Sequence, residues 1–168
     1  MRFNEEKGIF FAVVTICLWS LSAFFATQLR LVPPLFLVGL SFTIAGLVRI
    51  RNFRSWKVPP GIFLIGVFSI FGYQILYFLA FQNAPATEVN VINYLWPLFI
   101  ILLSPLYLKK HDIRWFHLTA GIVGLLGASL IISAGGLRFN LSYLPGYMFA
   151  ITAAFIWANY SLFMKRHQ

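Results

Sequence analysis

Six stretches of the sequence are long, apolar and nearly free of charge: Gly8–Gln28, Pro33–Ile50, Pro60–Ala84, Glu88–Leu108, Trp115–Ala134 and Pro145–Met164. Their only charged residues, Arg49 and Glu88, stand at block ends. A helix needs roughly 17–25 mostly apolar residues to cross the hydrocarbon core of a bilayer, and every block reaches that length. A water-soluble domain carries about 25% charged residues; this chain has 10%, with 60% hydrophobic residues. The expected fold class is therefore all-α, a polytopic membrane helix bundle of six transmembrane helices. Short connections predict that consecutive helices pack as antiparallel neighbours. Pro33 and Pro34 suit the first turn of the second helix, where a missing N–H costs nothing.

The charges that remain are mostly basic, giving a formal net charge of +9. They fall in clusters between blocks rather than in a continuous stripe, so nucleic-acid binding is not expected. One set of block ends holds Arg2, Lys7, Arg49, Arg51, Arg54, Lys57, Lys109, Lys110, Arg114, Lys165 and Arg166; the opposite set holds only Arg30 and Arg138. The excess of Lys and Arg on cytoplasmic loops then places both termini in the cytoplasm. Trp56, Tyr107, Trp115 and Tyr143 fall near span ends, as interfacial rings do. Cys17 is the single cysteine, which excludes an intramolecular disulfide and a cysteine metal cluster. The first block is too long for the apolar core of a cleaved signal peptide, and further spans follow it.

The fourth block, EVNVINYLWPLFIILLSPLYL, carries polar residues and helix breakers that its length does not require. At 3.6 residues per turn, Asn90, Asn93, Tyr94, Pro97, Ile101 and Ser104 fall within about a third of the circumference. Pro97 cannot donate to the carbonyl of Asn93, nor Pro105 to that of Ile101, so the helix should bend there. A polar stripe on a membrane helix faces protein or water rather than lipid. Two readings fit: a wall lining a cavity, where freed backbone groups are tolerated, or amides that bond neighbouring helices together.

On the third block Gly66, Ser69, Tyr73, Tyr77 and Ala80 share a face, with Gln74 at its border. Two tyrosines and a glutamine are able to stack on and hydrogen-bond an amphipathic ligand, or to serve as satisfied core residues. Trp19 aligns with Thr15, Ser22 and Ala26, and Trp157 with Ala153 and Tyr160. Gly121, Gly124, Gly127 and Ala128 in the fifth block read as small residues for close helix packing. Glu88, the one carboxylate near a span, is expected at the outer mouth, capping its helix by complementing the dipole or titrating. No nucleophile–base set, phosphate loop or metal cluster is present in the sequence, so neither enzymatic activity nor a cofactor is expected.

FAVVTICLWSLSAFF (Phe11–Phe25) aligns without gaps on FAITAAFIWANYSLF (Phe149–Phe163), matching Phe11, Ala12, Trp19 and Phe25 with Phe149, Ala150, Trp157 and Phe163. The two segments cross in opposite directions, the relation expected of an inverted repeat with an odd number of helices. Residues 1–144 then form one five-helix unit, and 145–168 give the first helix of a second.

With these features the chain resembles the drug/metabolite transporter superfamily, and within it the ten-helix transporters made of two EamA-type repeats. EVNVINYLWPLFIILLS is similar to the fourth helix of the bacterial aromatic amino acid exporters, and FAITAAFIWANYS to the start of their second repeat. The resemblance spans the whole chain but only the first six of ten helices. It implies a secondary transporter in the bacterial inner membrane, exporting small amphipathic metabolites, with aromatic amino acids leading. It favours the cavity reading of the fourth block, with Asn90, Asn93, Tyr94 and Pro97 on a substrate path; Tyr73, Gln74 and Tyr77 on the third block, and Trp19 and Trp157 from the repeated segments, are expected beside it or as plain packing residues. The expected partners are that solute, the lipid bilayer, and a second copy or a separate C-terminal half to cover the remaining faces. The rival class is a non-transporting membrane subunit or scaffold; a transporter of the same type for another solute is the nearer alternative.

Overall fold

The computed structural model of the protein describes residues 2–29, 31–49, 58–108, 115–133, 136 and 140–167. Arg30, Arg51, Arg54, Trp56, Lys57, Lys109, Lys110, Arg114 and Arg138 lie outside the described residues. Among the described residues, seven α-helices follow in chain order: α1 (Arg2–Gln28), α2 (Pro34–Arg49), α3 (Pro60–Asn83), α4 (Ala86–Asn93), α5 (Trp96–Tyr107), α6 (Trp115–Ser133) and α7 (Leu144–Arg166). A 3-10 turn, Leu141–Tyr143, leads into α7. The described residues contain no strand.

Proline sets most of the boundaries. It opens α2 and α3 and stands in the first turn of α7, where its fixed φ suits a helix. At the far end of α3, Ala84 is extended (φ −153°, ψ 160°) because it precedes Pro85. Among the described residues, three helices are long and apolar enough to cross a membrane: Pro60–Asn83, the interrupted pair Ala86–Tyr107, and Leu141–Arg166. Three shorter apolar helices, Lys7–Leu21, Pro34–Val48 and Trp115–Leu130, occupy the other expected spans. Large side chains of α1, among them Phe10, Ile16, Leu18 and Phe24, point away from the bundle, which lipid tolerates and water does not.

The fourth span is interrupted by one tight turn at Tyr94–Leu95. There the Leu95 N–H turns back to the Ile92 carbonyl at 3.0 Å while Leu95 keeps right-handed helical dihedrals (φ −66°, ψ −17°), and α5 continues from Trp96. Pro97 lies just past this interruption and withholds the N–H that would bridge it. Pro105 breaks nothing, because the Ser104 hydroxyl donates to the Ile101 carbonyl that the proline leaves free, at 2.8 Å.

Consecutive helices pack together at α2 with α3 and at α5 with α6, but the main packing is different. α7 lies against α3 and against the α4–α5 pair, whereas α1 touches α3 and α4 only lightly. Small residues explain this. Gly146, Ala150, Ala154 and Ala158 recur every fourth position on α7 and are buried, so neighbouring backbones approach closely. A Cβ added at Gly146 would stand 2.5 Å from the Ala84 Cβ and 2.8 Å from the Asn83 carbonyl carbon. The core lies along this seam, with Tyr77, Ala80, Phe81, Val89, Tyr147, Ala150 and Ala153 in one cluster. Only part of the expected glycine packing on α6 is found. An added Cβ at Gly121 would meet Ile101 at 2.9 Å, while Gly124 and Gly127 have nothing within 4 Å.

Candidate functional site

Where α3, α4 and α7 meet, the polar residues of the fourth span face the tyrosines of the third. Asn90 sits one turn before the break and uses both ends of its amide. Its Nδ2 donates to the Ala86 carbonyl at 2.9 Å, and its Oδ1 accepts from the Tyr77 hydroxyl at 2.9 Å. Asn93 closes α4, is 8% exposed, and donates through Nδ2 to the Tyr73 hydroxyl at 3.3 Å. Its Oδ1 is buried without a partner. Tyr73 and Tyr77, four apart on α3, stack at 5.6 Å with an interplanar angle of 12°.

Tryptophans complete the aromatic side. The Trp157 ring of α7 lies 5.1 Å from Tyr73, 5.9 Å from Tyr160 and 5.9 Å from Trp19, the last edge-to-face. The pair from the repeated segments therefore meets, although Trp19 remains 59% exposed. Tyr94 stands in the break itself, 46% exposed. Gln74 and Pro97 are half-buried on neighbouring turns. Of the nine expected site residues, Tyr73, Tyr77, Asn90, Asn93, Trp19 and Trp157 form one connected cluster of rings and amides. Such a cluster offers π-faces, phenol groups and one spare amide oxygen, a combination suited to an aromatic solute with a polar end.

Two further contacts flank the cluster and lie outside the expected set. Glu88, expected at the outer mouth, is 5% exposed and stands in the first turn of α4, where an acid complements the helix dipole. Its Oε2 also accepts a hydrogen bond from the Tyr147 hydroxyl of α7, which itself accepts from the Asn140 backbone N–H at 3.2 Å. Tyr107, expected among interfacial rings, is half-buried and donates to Asn159 Oδ1 at 2.7 Å, joining the end of α5 to α7. Beyond Phe81, a cleft of about 500 Å³ opens beside the α3–α4 connection, lined by Gln82, Asn83, Pro85, Leu31 and Tyr143. None of the expected site residues lines it. Among the described residues no three His, Cys, Asp or Glu side chains gather to hold a metal ion.

The architecture and the cluster define a multi-pass membrane helix bundle with a polar, aromatic interior. The chain belongs to the EamA-like transporter family, whose model matches residues 6–133. It is 36% identical to the aromatic amino acid exporter YddG of Ancylobacter novellus, over 97% of this chain and 60% of that protein. It is 26% identical to the aromatic amino acid exporter YddG of Escherichia coli, over 94% of this chain and 58% of that protein. The chain thus spans about 60% of the length of these curated relatives. A solved crystal structure, 36% identical, superposes with a TM-score of 0.69 and covers 87% of this chain and 53% of that one.

Proposed function

We propose that the chain forms the substrate-binding half of a bacterial inner-membrane exporter of small amphipathic metabolites, with aromatic amino acids as leading substrates. The observation that carries this is the ring-and-amide cluster at the break between α4 and α5, in a chain whose matched relatives are named aromatic amino acid exporters. Irregular backbone at membrane depth is tolerated where it lines a cavity, and inverted-repeat transporters bind near such breaks. Both termini face the cytoplasm on this reading. Residues 1–144 are the first repeat and 145–168 open the second. Because the relatives are longer, a second copy or a C-terminal half supplies the remaining wall. The protein acts as a carrier rather than an enzyme and needs no cofactor.

Movement is a rocking of helices about the Tyr94–Leu95 break. The Glu88–Tyr147 bond holds α4 to α7 and the Tyr107–Asn159 bond holds α5 to α7, so each arm has its own fastening. A second reading has a specific observation in its favour. Asn90 and Asn93 both bond across helices, which is what a non-transporting scaffold also requires. Inside-out membrane vesicles from cells expressing the protein distinguish the two. Uptake of labelled tryptophan above control vesicles, competed by phenylalanine but not by glutamate, is the result expected of the exporter. Uptake equal to control, with the protein folded in the membrane and co-expressed with a C-terminal half, selects the scaffold.

A further inference from the structure

The two arms of the fourth span are held unequally. On α4, Glu88, Val89, Val91 and Asn93 are buried, and side chains bond it to both neighbours: Glu88 to Tyr147 of α7, Asn90 to Tyr77 and Asn93 to Tyr73 of α3. On α5 no residue is buried. Ser104 uses its hydroxyl on the Ile101 carbonyl of its own helix. Among the described residues, Tyr107 alone ties α5 to another helix by a side-chain hydrogen bond, donating to Asn159 Oδ1 at 2.7 Å. The Asn159 amide is oriented for this, because its Nδ2 donates to the Phe155 carbonyl at 2.8 Å and a carbonyl only accepts. Phe99 adds an edge-to-face contact with Phe155 at 5.7 Å. Between the arms, Pro97 has no N–H to return to the Asn93 carbonyl, so one backbone bond fewer resists a swing of α5.

The α4–α5 pair and α7 run the same way: Glu88 meets Tyr147 near their starts, and Tyr107 meets Asn159 toward their ends. In chain order Asn90 and Asn93 on the one, and Trp157 on the other, fall between the two bonds. We infer that the Tyr107–Asn159 bond is the cytoplasmic latch of the solute path and that α5 is the arm that opens it, while α4 stays seated on α3 and α7. Solute reaches the ring-and-amide cluster when α5 leaves α7; Tyr107 and Asn159 position that arm and do not touch solute. The inference rests on the cluster being the substrate site and on both termini facing the cytoplasm. One neutral hydrogen bond suits a latch that must open in every cycle. Its loss shifts the open–closed balance about three- to twentyfold, the scale of interhelical bonds in membranes. The fastening at the other end is costlier to undo, because it would strand the buried Glu88 carboxylate.

The test uses inside-out vesicles from cells that co-express a C-terminal half with the chain carrying Cys17→Ser and Ser104→Cys. Ser104 is half-buried, one turn before Tyr107 on α5, so a thiol there reports the departure of α5 to a membrane-impermeant maleimide. Tyr107→Phe and Asn159→Leu are each expected to speed labelling about three- to twentyfold, and the two together no more than either alone. Asn159→Asp keeps an acceptor for the phenol and is expected to label no faster than the parent. Tyr147→Phe, at the other end, is expected to leave the rate unchanged. The KM for tryptophan uptake should fall in Tyr107→Phe by the same factor as labelling rises, since the open arm is more populated; a bond that only packs helices leaves KM unchanged. Labelling unchanged by Tyr107→Phe, or raised equally by Tyr147→Phe, overturns the latch, and tryptophan uptake by the parent then still supports the substrate site. The expected labelling in vesicles that take up no tryptophan overturns the substrate reading, and the solute path with it.

Discussion

Gly146 offers the most direct test of how α7 is seated. Replacing it with alanine places a methyl group 2.5 Å from the Ala84 Cβ, 2.8 Å from the Asn83 carbonyl carbon and 2.9 Å from the Ala84 nitrogen. Two of these atoms are backbone, held by the extended turn into Pro85, and have no rotamer to which they can retreat. Overpacking of this kind costs about 1–3 kcal/mol. Alanine also gains up to about 1 kcal/mol over glycine in a helix, which offsets part of the loss. Gly124→Ala on α6 supplies the reference, because a Cβ there meets nothing within 4 Å and only the helix gain remains. Subtracting one variant from the other removes most of the shared propensity effect, leaving Gly146→Ala about 1–3 kcal/mol less stable than Gly124→Ala. Thermal unfolding in one detergent, followed by helical circular dichroism, measures the difference. Equal stability of the two variants would refute the seating of α7 against the α3–α4 corner.

Tyr147→Phe removes the phenol that donates to the buried Glu88 carboxylate, and is expected to cost about 1–3 kcal/mol in the same unfolding assay. Adding Glu88→Gln should recover part of that loss, since an amide is less costly than a carboxylate to leave unpaired; no recovery contradicts the pairing. For topology, cysteines placed beside Ala86 and Arg138 should react with an impermeant maleimide from outside whole cells, and those beside Arg51 and Lys110 only after permeabilisation. The reverse labelling would overturn the orientation and the inverted-repeat reading.

The sequence makes the helices legible where chemistry is local. Pro34, Pro60 and Pro145 mark helix starts, and Pro97 marks the fourth span as irregular. The shared face of Tyr73 and Tyr77, and that of Asn90 and Asn93, follow from helical periodicity alone. What periodicity cannot give is which faces meet. Tyr147 lies 59 residues from Glu88, and nothing local distinguishes it from an aromatic at the membrane interface. Tyr107 was expected in that interfacial role and instead reaches Asn159, because α7 inserts between α3 and the α4–α5 pair rather than beside its chain neighbour. The Gly146, Ala150, Ala154 and Ala158 row on α7 is the signal that would have revealed this. A four-residue spacing of small side chains permits close approach, whereas Gly124 and Gly127, read as packing residues on α6, stand over open space.

The central claim is that the cluster around Asn93 handles substrate rather than merely joining helices, and Asn93→Leu tests it most directly. The substitution gives up one 3.3 Å bond to Tyr73 but also removes the unpartnered Oδ1, so little change in stability is expected. Trp96→Leu, in the first turn of α5, serves as the packing control. The measurement is labelled tryptophan uptake into vesicles, expressed per folded molecule, beside thermal stability in detergent. The account predicts a fall of about tenfold in uptake at subsaturating tryptophan, the scale of one charge-assisted hydrogen bond, with folded yield unchanged. Unchanged uptake per folded molecule, with stability lowered by roughly 0.6–2 kcal/mol as for an interhelical membrane hydrogen bond, would contradict it.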